Sequence, residues 1–157
     1  MRITKTNAAR ILEGKKILYE LMAYETDVDD LSATHVAMQL GEPIKQVFKT
    51  LVLRGDKTGV FICIIPGAEE VNLKLAAKTT GNKSCDLVLM KEIQELTGYI
   101  RGGCSPLGMK KNYPTYIHET AVSYPFIYVS AGVRGLQIKL NPHDLIQCCA
   151  AMVCRLA

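Results

Sequence analysis

Lys49 carries the charge whose surroundings stand out, because in Val47-Phe48-Lys49-Thr50-Leu51-Val52-Leu53 every neighbour but Thr50 is apolar. An ammonium in such a strand loses hydration unless it reaches a cleft, a partner or water. Two readings are open: a side chain that snorkels its head to solvent from the strand end, or a desolvated cation serving as base, Schiff-base former or fixed charge for an ester oxygen. The second stretch is Gly102-Gly103-Cys104-Ser105-Pro106-Leu107-Gly108, read as a loop after a predicted strand. Paired glycines let a backbone approach a ligand and present N–H donors to an oxyanion, and they also make ordinary tight loops. A third, Tyr128-Val129-Ser130-Ala131-Gly132-Val133-Arg134-Gly135, places Ser130 where a strand gives way to small residues, either as a ligand donor or beside a plain hairpin turn. Tyr24 closes the first predicted strand and either walls a pocket or sits in the core with its hydroxyl outward.

No nucleophile–base–orienter set is evident among these residues. Ser105 is not at a nucleophile elbow, since G-x-S-x-G is absent and Pro106 follows it directly. Cys104 needs a positioned base to act as a nucleophile, and His118, its nearest histidine in sequence, lies in a predicted strand and reads as structural. Asp144 reads as a helix-start carboxylate, and the pairs Lys15-Lys16 and Lys110-Lys111 as solvated charges able to meet phosphates. The six cysteines form no C-x-x-C, and His35, His118 and His143 lack zinc-ligand spacing, so no metal and no cofactor is expected.

The elements that must position these groups follow from caps and periodicity. Thr6 caps a short helix ending at Gly14, residues 17–24 form a strand, and an acidic loop over residues 25–30 leads to Ser32, the N-cap of a helix stopped by Gly41 and Pro43. Residues 47–53 and 60–65 form a hairpin across the turn at residues 55–59. Helices over residues 72–80 and 91–97 flank a short strand at 85–89, and strands follow at 115–118, 126–130 and 136–140. Asn141, Pro142 and Asp144 start a C-terminal helix whose apolar stripe is Leu145, Cys148, Cys149 and Met152. With no regular βαβ alternation and no internal repeat, the fold class is α+β: a mixed, partly closed β-barrel surrounded by short helices.

Composition bounds the rest. The chain has 157 residues, 48% hydrophobic, and no apolar run near the ~18 residues of a membrane span, so one domain over residues 1–157 is expected to fold without a metal or disulfide staple. The start of the chain lacks a basic-then-apolar leader, which predicts a cytoplasmic protein with reduced cysteines and no membrane partner. A net charge of +4, from 19 basic against 15 acidic residues, permits an anionic partner but falls short of a dedicated nucleic-acid-binding arm.

Taken in order, these segments resemble the YbaK-type editing domains, free-standing cysteinyl-tRNA(Pro) deacylases related to the editing insertion of prolyl-tRNA synthetase. Phe48-Lys49-Thr50-Leu51 is similar to the family's lysine strand, residues 98–108 to its glycine loop, Tyr128-Val129-Ser130-Ala131-Gly132 with Arg134-Gly135-Leu136 to its serine loop, and Val71-Asn72-Leu73-Lys74 to the start of its middle helix. Ala131 stands where a glycine is usual, and Cys104 where an aliphatic residue is common. The resemblance implies a trans-acting deacylase of mischarged cysteinyl-tRNA(Pro), in which the substrate's own thiol attacks its ester. Lys49 and Gly102 would be the catalytic pair, with Tyr24, Thr50, Gly103, Ser105 and Ser130 as substrate contacts. The implied partners are the acceptor end of aminoacyl-tRNA(Pro) and prolyl-tRNA synthetase as its deliverer. Alanyl-tRNA(Pro) deacylation by an activated water and a non-catalytic RNA-binding or regulatory module are the competing expectations.

Overall fold

Cap and turn chemistry sets most element boundaries in the computed structural model, which describes residues 5–27 and 29–157. Residues 1–4, which open the stretch read for a leader, and Val28 of the acidic loop lie outside that description. Helix α1 (Asn7–Gly14) begins where the Thr6 side chain accepts from the Ala9 N–H, and it buries Ala8, Ala9 and Leu12. Strand β1 (Tyr19–Ala23) follows, then α2 (Ala33–Leu40), capped by Ser32 and stopped at Gly41 in the left-handed region. Strands β2 (Phe48–Gly55) and β3 (Gly59–Pro66) form the expected hairpin, with Phe48 opposite Pro66 and Gly55 opposite Gly59. Helix α3 (Leu73–Thr80) runs from its Asn72 cap to Gly81, and β4 (Cys85–Leu87) pairs with the far end of β2. A 3-10 turn, Met90–Glu92, precedes the one-turn helix α4 (Ile93–Thr97), so the expected helix over 91–97 is divided. Strands β5 (Thr115–His118), β6 (Ile127–Ser130) and β7 (Leu136–Leu140) lead to helix α5 (Pro142–Cys149) and strand β8 (Met152–Cys154).

Two sheets result. One has three antiparallel strands in the order β1-β7-β6; the other has five in the order β4-β2-β3-β5-β8, with β5 parallel to both β3 and β8. A single parallel bridge, Val47 to Tyr128, links them. Among the described strands no ring closes; the architecture is mixed α+β with two sheets, and the strand pairing does not confirm the partly closed barrel expected from the sequence. The largest core cluster joins Phe48, Val52, Ile62, Ile64 and Ile117 of the larger sheet to Val129, Ile138 and Leu140 of the smaller one, with Leu145 of α5 against them. A second core, built from Leu53, Phe61, Cys63 and Ile65, packs against Ala76 and Ala77 of α3.

The end of the chain corrects the sequence reading. Helix α5 stops at Cys149 because Ala150 adopts a left-handed conformation and the Ala151 N–H returns to the Ile146 carbonyl. Met152 is therefore not on the helix stripe; it begins β8 and is exposed. No glycine announces this stop, so periodicity runs past it. The glycine loop differs too: it follows α4 and not a strand, and the Gly103 N–H donates back to the Ile100 carbonyl at 3.0 Å in a turn.

Candidate active site

A cavity of about 420 Å³ opens where the two sheets part company. Strand β2 pairs with β3 along its whole length, but its other edge meets β6 only through the Val47–Tyr128 bridge and meets β4 only from Leu53 onward. Between these contacts lies the stretch holding Lys49 and Thr50, which both line the cavity. A strand normally shows one set of alternate residues to a given side. Here the cavity wraps the free edge, so consecutive residues reach it. Ser130, at the end of β6, and Gly102 and Cys104, in the loop after α4, line the same space. Helix α2 covers one end through Ala33 and Val36, and Gly67 admits that helix, since a Cβ there would overlap the Ala33 methyl.

The charged side chains along this lining are Lys49 and Arg101, both cations, and no Asp or Glu joins them among the described residues. Partial burial pulls the Lys49 pKa below its ordinary value, an effect the Glu70 carboxylate opposes. Burial drives the Cys104 thiol up to about 11, against a weaker opposing contribution from its hydrogen bond with Thr97. Gly102 has φ +83, and a Cβ on it would lie 3.2 Å from Arg134 Nε and 3.3 Å from the Leu31 methyls. Arg134 is fixed in turn by donating from Nε to the Arg101 carbonyl at 2.8 Å. The loop is thus held close against its neighbours at a residue whose lack of a side chain permits it.

The structure brings Lys49, Thr50, Gly102 and Ser130 together, although they come from three distant stretches of chain. It does not bring Tyr24, Gly103 and Ser105 to the main cavity. Tyr24 borders a much smaller recess shared with Arg134, His35 and the other side of Gly102. Gly103 is buried against the Val133–Arg134 backbone. Ser105 is fully buried, and its hydroxyl accepts from the Leu107 N–H at 3.2 Å, which closes the loop on itself. The histidines also lie off the main cavity lining: His118 Nδ1 pairs with Thr120 Oγ1 at 3.0 Å and His35 Nε2 meets the Glu25 carbonyl at 3.0 Å.

Sequence reasoning missed Gln137 and Arg101. Gln137 alternates with Leu136 and Ile138 in β7, a pattern that reads as a polar residue facing water. The opposite face of β7 is instead covered: Gln137 lines the cavity but is only 5% exposed, and its side-chain oxygen is buried without a hydrogen-bond partner. Its only signal in the chain was its place opposite Ser130 in the β6–β7 pairing.

Against known families, residues 28–148 match the aminoacyl-tRNA editing domain. The chain belongs to that family. The resemblance read from the lysine strand and the two loops is therefore borne out. A relative from Enterococcus faecalis, provisionally named Cys-tRNA(Pro)/Cys-tRNA(Cys) deacylase EbsC, is 48% identical over 142 residues, covering 90% of this chain and 87% of that protein. The proline–tRNA ligase of Thermosipho melanesiensis matches over 99 residues at 26% identity, covering 63% of this chain and 17% of the ligase. A crystal structure described provisionally as a trans-editing enzyme for prolyl tRNA synthetase superposes with a TM-score of 0.82 at 23% identity, covering 98% of each chain, and shares the fold. Among the described residues of this editing domain, no helix is long and apolar enough to cross a membrane, and no three His, Cys, Asp or Glu side chains gather where they could hold a metal.

Proposed function

We propose that the protein is a trans-acting deacylase that removes cysteine from mischarged cysteinyl-tRNA(Pro). The observation that carries this reading is the convergence of Lys49, Thr50, Gly102 and Ser130 on one cavity. Membership of the editing-domain family and the name of the Enterococcus relative support it. In this reading Lys49 is a fixed, partly desolvated cation near the ester, where a charge developing on the carbonyl oxygen is stabilised more strongly than in water. Gly102 shapes the carbonyl site, and the Thr50 and Ser130 hydroxyls contact the aminoacyl group or the terminal ribose.

The cavity supports a reaction in which the protein brings no nucleophile. Cys104 remains protonated near neutral pH, and a thiol is a far weaker nucleophile than a thiolate. The substrate supplies its own. Its sulfur attacks the ester carbonyl, the C–S bond forms as the C–O bond to the ribose breaks, and the thiol proton ends on the departing ribose hydroxyl. Water then opens the thiolactone. Holding thiol and carbonyl in near-attack geometry contributes at most roughly 7–11 kcal/mol in favourable intramolecular cases, which makes positioning a sufficient role for the fold. The partner is the acceptor end of tRNA(Pro), delivered free or by prolyl-tRNA synthetase, with Arg101 on the cavity lining to meet phosphate.

The test compares hydrolysis of cysteinyl- and alanyl-tRNA(Pro) by the purified protein. Fast loss of cysteine with slow loss of alanine is expected. Equal rates would replace the thiol by an activated water, and no hydrolysis of either would remove the enzymatic reading. Affinity for the tRNA should fall as salt rises.

A further inference from the structure

The residues that are exposed along the cavity lining show where it opens. Among the described lining residues these are Ser32, Leu87, Met90 and Arg101. Ser32 is committed to the start of α2, its hydroxyl donating to Asp30 at 2.6 Å and accepting from the His35 N–H at 3.2 Å. The other three come from the end of β4, the 3-10 turn after it and the residue before Gly102, and Arg101 Nη1 lies 3.6 Å from Met90 Sδ. Leu87 is 51% and Met90 60% exposed, so two large apolar side chains meet water at the mouth of the cavity, one of them against a guanidinium. Single exposed apolar residues are ordinary, whereas a group of them at the edge of a cleft is the usual form of a contact surface. The backbone beneath them is fixed: the Glu92 N–H donates to the Leu89 carbonyl at 2.9 Å, and the Arg101 carbonyl accepts from Arg134 Nε at 2.8 Å. Of the carboxylates nearby in the chain, Glu92 is paired with Arg54 at 2.7 Å, and Asp86 stands opposite Arg54 in the sheet.

We propose that Leu87, Met90 and Arg101 are positioning residues of the proposed deacylation, together forming the platform on which the terminal base of the tRNA stacks. The inference rests on that function and deepens it. An ester seated at Lys49 and Gly102 hangs from the terminal ribose, and the RNA attached to that ribose leaves through the open side, which these three side chains border. The terminal nucleotide is unpaired, and unpaired bases are held by stacking on the faces of side chains, guanidinium planes among them. A thioether is flexible and polarizable, so Met90 can follow the face of a base. Leu87 and Met90 carry no strong donor or acceptor, and the platform therefore holds a base without reading which one it is. Arg101 adds a positive charge where the adjoining phosphate passes.

The experiment crosses two proteins with two substrates. Wild type and Met90→Ser are each assayed on intact cysteinyl-tRNA(Pro) and on the same tRNA whose terminal nucleotide lacks its base but keeps the esterified ribose. Wild type should favour the intact end by about fivefold or more in kcat/KM, the size of one lost stacking contact. Met90→Ser should lose most of that preference, through KM, at an unchanged unfolding temperature. Exchanging the terminal base for another should matter little to either protein. Arg101→Gln should flatten the salt dependence of KM. If Met90→Ser does not fold, Leu87→Ser gives the same comparison. Equal wild-type rates on the two ends, or a variant that keeps the full preference or lowers both substrates alike, overturn the inference and leave the deacylase reading standing. A variant impaired only when prolyl-tRNA synthetase is added also overturns it, and makes the patch a protein contact. A wild type that hydrolyses neither substrate overturns both.

Discussion

Asn82 and Gln137 are both carboxamides more than nine-tenths buried, and they behave in opposite ways. The Asn82 oxygen accepts from the Lys57 and Thr58 N–H groups, each at 2.9 Å, and its nitrogen donates to the Thr58 hydroxyl at 2.9 Å and the Thr80 hydroxyl at 2.8 Å. All its capacity goes to tying the β2–β3 turn to the end of α3. Gln137 leaves its oxygen buried and unmatched, as Thr50 does with its hydroxyl, and both residues line the cavity. A buried polar group that is fully paired stabilises the fold, and one left unpaired costs it stability.

The comparison can be broken in a graded series. The largest effect is expected at the cavity's cation: Lys49→Ala should lower deacylation by about 100-fold or more with no loss of unfolding temperature, since it removes a charge aimed at the reaction and not a packing group. A variant that kept its activity would separate the cavity from the chemistry. Next, Asn82→Ala should cost about 2 kcal/mol in denaturant unfolding, because two buried backbone donors lose their partner, while kcat/KM per folded molecule stays unchanged. Loss of activity without loss of stability there would erase the contrast with Gln137. A smaller effect, about 1 kcal/mol, is expected for Gly102→Ala, whose positive φ and contact with Arg134 and Leu31 disfavour a side chain. Its turnover should fall beyond what that instability explains.

The smallest effect is the pH dependence of stability at Lys49. Its folded pKa lies below the unfolded value, so the unfolded chain holds the proton more tightly. Below the folded pKa the desolvation penalty is fully present, and it is relieved as pH rises through that pKa toward 10.5. Lys49→Met should therefore unfold at a slightly higher temperature than wild type at neutral pH, with the gap narrowing in alkaline buffer. A gap that widened with pH would show that the ammonium is stabilised in place.

Much of the fold was legible because its signals are local. Thr6, Ser32, Asn72 and Asn141 each cap the helix they precede, and Gly41 and Gly81 end theirs in the left-handed region. The β2–β3 turn fell where two glycines bracket a polar run. The end of α5 was not legible, because Ala150 takes a conformation its side chain does not advertise. Of the site, Lys49 was visible as a charge among apolar residues and Gly102 as half of a glycine pair. Ser105 looked as eligible as Ser130, and only its burial within a self-closing turn separates them.

By itself the sequence determined which residue types were at hand and where most elements begin and end, since caps, turns and alternation act over a few residues. Tertiary structure decided what those residues face. The gap between β2 and β6, the burial of Gln137 and the withdrawal of Ser105 all depend on segments dozens of residues apart, and no local pattern encodes which of two chemically similar side chains will meet open space.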